Sequence, residues 1–286
     1  MVLRSLISGL ALLSPSTLQA QVDDDAIVIT GVVDAVGGGG GSKAKGEENW
    51  TSSFHLVAWR REGSDKIKER ELRVEIPDQT QQSLGKWASV FPARTLVRFA
   101  IRAPVEPGEY RDLAVLRAPL PTKPDPQIEA IAHAILNPPP YTDPVFGVFT
   151  PSETFPDILG RKHEWLGQNV ALSLSLDADG PKTPESAQEC SRHLLKLWEN
   201  RESWDARIRA KIADEYYDVW LDGWRKEGEA IITRDEFASR FTLQSVDVSP
   251  SGFFSMMFGD DDLFWGHAMS VTYFPESDTL DVSLFG

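Results

Sequence analysis

The chain has 286 residues, 41 % hydrophobic and 25 % charged, with nine Trp and 14 Phe; this length suits two domains, and the apolar content excludes a disordered chain. The single cysteine, Cys190, excludes an internal disulfide and a multi-cysteine zinc site, and no stretch reaches the ~20 apolar residues of a membrane-spanning helix. The net charge of −14 is uneven, since residues 43–123 carry 15 Lys/Arg against 11 Asp/Glu and residues 124–286 carry 13 against 28, so the second half repels polyanions and nucleic acid is an unlikely partner outside the first.

Residues 1–20 follow the plan of a secretory signal peptide: Arg4, an apolar run from Leu6 to Leu13, Pro15, and Ala20 before Gln21. This pattern predicts an exported or periplasmic protein whose mature chain starts at Gln21. The alternative is an overextended gene start and a cytoplasmic protein.

From residue 21 to 123 the sequence predicts an all-β barrel. Strands are expected over Ala26–Val36, Ser53–Arg61, Lys68–Ile76, Leu96–Ala103 and Asp112–Ala118, where β-branched and aromatic residues alternate with polar ones. A helix is expected after Pro77, with Asp78 as its cap and Pro92 as its stop. Five strands with one helix between the third and fourth is the plan of an OB-like barrel. Gly37–Gly41 lack the Gly-Lys-Ser/Thr ending of a phosphate loop and read as a flexible connector. The OB plan offers a ligand face on the second and third strands, and Trp59, Arg61 and Arg73 are its candidate ligand-binding residues, an aromatic beside cations as in single-stranded nucleic-acid binding. The competing reading puts Trp59 in the core and the arginines on a solvated face.

Residues 124–142 read as a proline-rich connector holding a short helix, Gln127–Leu136. Residues 143–286 predict an α+β domain, an antiparallel sheet with two or three helices on one face. Its elements are a hairpin over Arg161–Asp177, a helix capped by Thr183 that buries Cys190, a second helix from Ser203, a third opened by Thr233-Arg234-Asp235-Glu236, and strands near Leu243–Val248 and Leu280–Phe285. A second hairpin is expected with arms Phe253–Phe258 and Leu263–Tyr273 about the acidic turn Asp260-Asp261-Asp262.

The blocks DPVFGVFT, HEWLGQNVALSLSLD, LWENRESWDARIR, TRDEF and DDLFWGH, in that order, resemble the bacterial family called domain of unknown function 2262, over about residues 143–286. The upstream ITGVV, polyglycine and LVAWRREG resemble the partner region that precedes it in some members. The resemblance implies a domain boundary and brings no activity, cofactor or site residue.

Chemistry is sparse. Asp260, Asp261 and Asp262 are candidates for an interaction surface; they lack the alternate-residue spacing of a calcium loop, so no metal is expected. His163, Glu164 and His267 are the weak catalytic candidates, and a hydrolase would need them to converge with a helix carboxylate such as Asp214, Glu215 or Asp218. No Gly-x-Ser-x-Gly elbow occurs and no cofactor motif stands out. The sequence therefore points first to a non-catalytic binding protein with a protein or glycan partner, with the hydrolase and the single-stranded nucleic-acid binder as alternatives.

Overall fold

The computed structural model describes residues 26–109, 111–176 and 184–286; the expected signal peptide and the expected cap Thr183 lie outside them. Two compact units divide the chain, Met1–Leu136 and Asn137–Gly286. Among the described residues no helix is long and apolar enough to cross a membrane.

The first unit contains β1 (Ile27–Val33), β2 (Gly40–Ser42), β3 (Trp50–Arg61), β4 (Leu72–Gln79), α1 (Lys86–Val90), β5 (Leu96–Ile101), β6 (Asp112–Leu120) and α2 (Pro126–Leu136). Five of these strands close on themselves in the order β1-β5-β6-β4-β3-β1. All their pairings are antiparallel except β4 with β6. Closure removes the free edges that a small open sheet would expose. The interior is filled by Ile29, Phe54, Leu56, Leu72, Val74, Phe99 and Ile101 from alternate strand positions, with Phe91 stacked on Phe54 at 4.0 Å between ring centroids.

Trp59 belongs to this interior. Simple alternation from Phe54 and Leu56 would turn Ala58 inward and Trp59 outward. The β1–β3 register slips between Val32 and Val33, however, so that Val32 faces Ala58 and Val33 faces Leu56. The extra residue inverts the alternation beyond it. Trp59 is consequently 1 % exposed, and its indole nitrogen donates to the Arg70 carbonyl at 2.8 Å. Gly31 opposite leaves the room it needs, since a Cβ there would lie 2.8 Å from that of Trp59.

Three expectations for this unit change. The polyglycine run is packed: a Cβ on Gly38 would meet the Trp87 carbonyl oxygen at 2.6 Å, and one on Gly41 would meet Leu84 at 2.8 Å. The glycines let the chain pass close over α1. Asp78 is no helix cap, because β4 continues through Gln79 with Asp78 at φ 59°, and a short 3-10 turn (Gln81–Ser83) precedes α1. The helix expected in the connector, α2, packs Ile128, Ala132 and Leu136 on Val32 and Ala58 of the barrel, so the division between units falls after Leu136.

The second unit contains β7 (Tyr141–Asp143), β8 (Gly147–Pro151), β9 (Ile158–Trp165), β10 (Gln168–Ser175), α3 (Pro184–Glu199), α4 (Arg201–Val219), α5 (Arg234–Ser239), β11 (Thr242–Val248), β12 (Phe254–Gly259), β13 (Ala268–Phe274) and β14 (Thr279–Phe285). The sheet order runs from β14 to β7 without interruption. It is not wholly antiparallel as expected. β10 and β11 are parallel, because the α3–α4–α5 segment between them is a crossover, and a crossover returns the chain to the end it left.

Register rows separate two faces. Val246, Met256, Val271 and Val282 align across four strands, as do Leu243, Phe258, Met269 and Leu284, and these rows join the core shared with Cys190, Leu194, Ile208 and Ile212 of the helices. The alternate rows are largely small and polar, with Met257 the exception: Ser245, Met257, Ser270 and Ser283, then Asp247, Ser255, Thr272 and Asp281. Burial holds the Asp247 carboxyl above its ordinary range, against a hydrogen bond of 2.7 Å from the Ser175 hydroxyl.

Packing of the glycine run is open to test. Gly38→Ala should lower stability to urea by roughly 1–3 kcal/mol through overpacking against backbone. Gly85→Ala, at a position with open space around it, should stay within about 0.5 kcal/mol of the native chain.

Candidate functional site

The β12–β13 connection is wider than the acidic turn expected. It spans Asp260 to His267, so Leu263, Phe264 and Trp265 belong to the turn and not to the second arm. Its organiser is Asp260, only 4 % exposed. One carboxylate oxygen accepts from the Phe264 and Gly266 amides at 2.7 and 3.2 Å, the other from the Asp262 amide at 3.2 Å, and the Asp260 carbonyl accepts from Leu263 at 3.0 Å. A carboxylate that gathers backbone N–H groups fixes the loop around it.

That clamp sustains a strained path. Asp261, Asp262 and Trp265 have φ of 48°, 63° and 57°, the left-handed region, where a bulky Trp is uncommon. Leu263 and Phe264 turn inward; Phe264 is fully buried among Tyr216, Trp224, Phe237 and Phe241. Trp265 turns outward and is 58 % exposed.

A second element meets it there. Beyond α4 the helix continues as a single π turn, Trp220–Trp224, closed by the Arg225 amide on the Trp220 carbonyl at 2.8 Å. The wider turn buries Trp220, leaves Val219 exposed and brings Trp224 to the surface of the turn. Trp224 packs edge-on against Trp265 at 5.0 Å, Phe264 at 5.5 Å and His267 at 5.1 Å. His267 Nδ1 donates to the Phe264 carbonyl at 2.5 Å, since a carbonyl can only accept.

Charged pairs rim this aromatic corner. Arg240 donates to the Asp261 carboxylate and carbonyl at 2.7 and 2.8 Å, and Lys226 Nζ lies 2.5 Å from Asp262. The Asp262 carboxylate also raises the Lys226 ammonium above its ordinary range. The three aspartates thus have separate roles: Asp260 is buried in the turn, while Asp261 and Asp262 are each matched by a cation.

The remaining candidates stay apart. His163 on β9 packs between Phe146 and Trp198, at 5.4 and 4.8 Å, and burial with nearby Arg161 keeps its ring below the ordinary histidine range. Glu164 is exposed beside it. His267 precedes β13, which is four strand spacings from β9, roughly 19 Å of sheet. The three residues named for a hydrolase therefore do not converge, and among the described residues no group of three or more His, Cys, Asp or Glu has the geometry to hold a metal ion. On the barrel, Trp59 faces inward, Arg61 is exposed, and Arg73 is paired with Glu75 at 3.2 Å, so these candidates do not form one surface either.

Sequence reasoning missed Trp265 and Trp224 as a pair. Trp265 looked like a strand residue after the aspartates; the signal available was Gly266 directly behind it, a residue suited to a turn that continues.

Residues 143–281 match the family model described as an uncharacterized protein conserved in bacteria (DUF2262). The C-terminal half of the chain belongs to the DUF2262 family. Residues 16–135 match a second family model, a domain of unknown function (DUF7021). No curated protein and no solved structure matches the chain significantly. In this DUF2262 domain, the aromatic corner falls within the matched residues, as do Asp260 and its three amide partners.

The division of labour among the aspartates predicts unequal mutational effects. Asp260→Ala should destabilise the protein by about 2–3 kcal/mol in urea unfolding, because buried amides lose their acceptor. Asp261→Asn and Asp262→Asn should leave the unfolding midpoint close to native, as expected of exposed ion pairs.

Proposed function

We propose that the protein is a non-catalytic binding protein whose DUF2262 domain presents the Asp260–His267 turn to a protein or glycan partner. One observation carries this reading: Trp265 is held exposed at a positive φ by a buried carboxylate and is buttressed by Trp224. Folding alone gives no reason to display a large aromatic on a strained loop, while recognition does; Trp anchors dominate binding surfaces, with polar residues around them. Lys226, Asp262, Arg240 and Asp261 supply that polar surround. The hydrolase alternative lacks support, with its two histidines packed against different tryptophans at separate places in the sheet.

For the barrel we propose an OB-type fold. The strand order, the single parallel pairing of the third and fifth large strands, and α1 between the third and fourth all favour it. Its β3–β4 outer face gives nucleic acid little to stack on: His55 sits 2.7 Å from Glu71, and Arg73 is engaged by Glu75. Export remains part of the proposal on the pattern of residues 1–20.

The binding proposal is tested with the full chain and its Trp265→Ala variant, probed against an immobilised oligosaccharide panel and against proteins captured from the native bacterium. A partner retained by the native chain should be lost, by a factor of about 30 or more, on removing an aromatic anchor of roughly 2 kcal/mol or greater, with the melting temperature unchanged. Equal retention by Trp265→Ala would exclude this corner as the contact.

A further inference from the structure

On the barrel's outer surface Thr30 of β1 is in register with Arg60 of β3 on one side and Arg98 of β5 on the other. Three adjacent strands therefore root two guanidinium groups on either side of one hydroxyl, roughly 10 Å apart at the backbone. A cleft of about 310 Å³ opens there, lined by these three residues together with Glu62, Lys123 and Asp125. Thr30 is only 9 % exposed.

The two arginines differ in what they are bound to. Arg60 is committed to the fold: its Nη2 lies 2.6 Å from Asp125, a buried carboxylate that also accepts the Ile128 amide at the start of α2, at 3.3 Å. Arg98 is only half engaged. Its Nη2 donates to Glu62 at 2.6 Å, while its Nε is buried with no partner. A guanidinium offers its Nε and Nη groups as one edge that matches the two oxygens of an oxyanion, and here only half of that edge is used. Glu62 follows β3, is substantially exposed, and spreads its carboxylate between Arg98 and Lys123, the latter at 3.3 Å. It occupies the position an external anion would take without completing the contacts such an anion could make.

We propose that this cleft binds a compact oxyanion, the phosphate or carboxylate group of a small molecule, which displaces Glu62 and engages Arg98 edge-on, with Thr30 and Lys123 as further donors. This is a second site, in the other unit from the aromatic corner and independent of its role. Arg60 and Asp125 frame the cleft and stay paired.

Isothermal titration of the full chain with inorganic phosphate, and separately with acetate, tests it. Glu62→Gln removes the internal competitor and should bind at least one of the two anions about tenfold tighter than the native chain; Glu62→Gln with Arg98→Lys should lose about tenfold again, because the ammonium cannot present the edge. A gain for phosphate alone assigns a phosphoryl ligand, and a gain for acetate alone a carboxylate. The proposal is overturned if Glu62→Gln binds neither anion or binds no tighter than the native chain. A double variant that matches Glu62→Gln while melting at the same temperature overturns it as well. The comparison of native chain with Glu62→Gln does not depend on the fold tolerating the arginine change.

Discussion

One buried carboxylate sets the geometry of the DUF2262 domain's most unusual surface. Asp260 collects the amides of Asp262, Phe264 and Gly266, and because those three are anchored, the residues between them have no freedom to choose sides. Phe264 must enter the helix layer and Trp265 must leave it. The inward ring then carries the rest: Phe264 touches aromatics from α4, the π turn, α5 and the chain that follows α5. A turn between two strands thereby becomes the point where the sheet and the helices lock together. Strain at Trp265 is tolerable because both neighbours are held, Phe264 by core packing and Gly266 by the carboxylate.

The two units solve their edges differently. The barrel closes, at the expense of one parallel pairing between β4 and β6, and buries Phe54, Trp59, Phe91 and Phe99 in a single interior. The DUF2262 sheet stays open, with β14 and β7 at its margins, and is stabilised by a helical layer over one face. The long crossover from β10 to β11 places that layer over the centre of the sheet, which makes the central pair parallel where a plain meander would have made it antiparallel. On β11 to β14 the other face carries mainly serine, threonine and aspartate, with Met257 among them.

Much of this was legible in the residues, and the exceptions have specific causes. Alternation located the large strands of both units, and helical spacing placed Cys190 against the core, where it is fully buried. Periodicity assumes an unbroken register, so it could not place Trp59 inward: a single bulge opposite Val32 and Val33 reverses the face. Composition suggested that five glycines are loose, but it carries no information on the backbone that passes beneath them, here Trp87. The aspartate run correctly marked a turn; its length depended on the side chain of Asp260 reaching six residues ahead to Gly266, a contact no local pattern encodes. The aromatic corner was hidden for the same reason. Trp224 and Trp265 lie on separate elements and meet only because a π turn widens one and a carboxylate clamp bends the other.

Hydrogen exchange at the Phe264 and Gly266 amides tests whether Asp260 preorganises the Trp265 loop. If the clamp holds in solution, these two amides, although they lie in a connecting loop, should exchange as slowly as the neighbouring strand amides of Met269 and Val271. Exchange at the rate of an open loop such as the one at Gly228 would contradict a fixed turn, and with it the account of Trp265 as a displayed, preorganised contact.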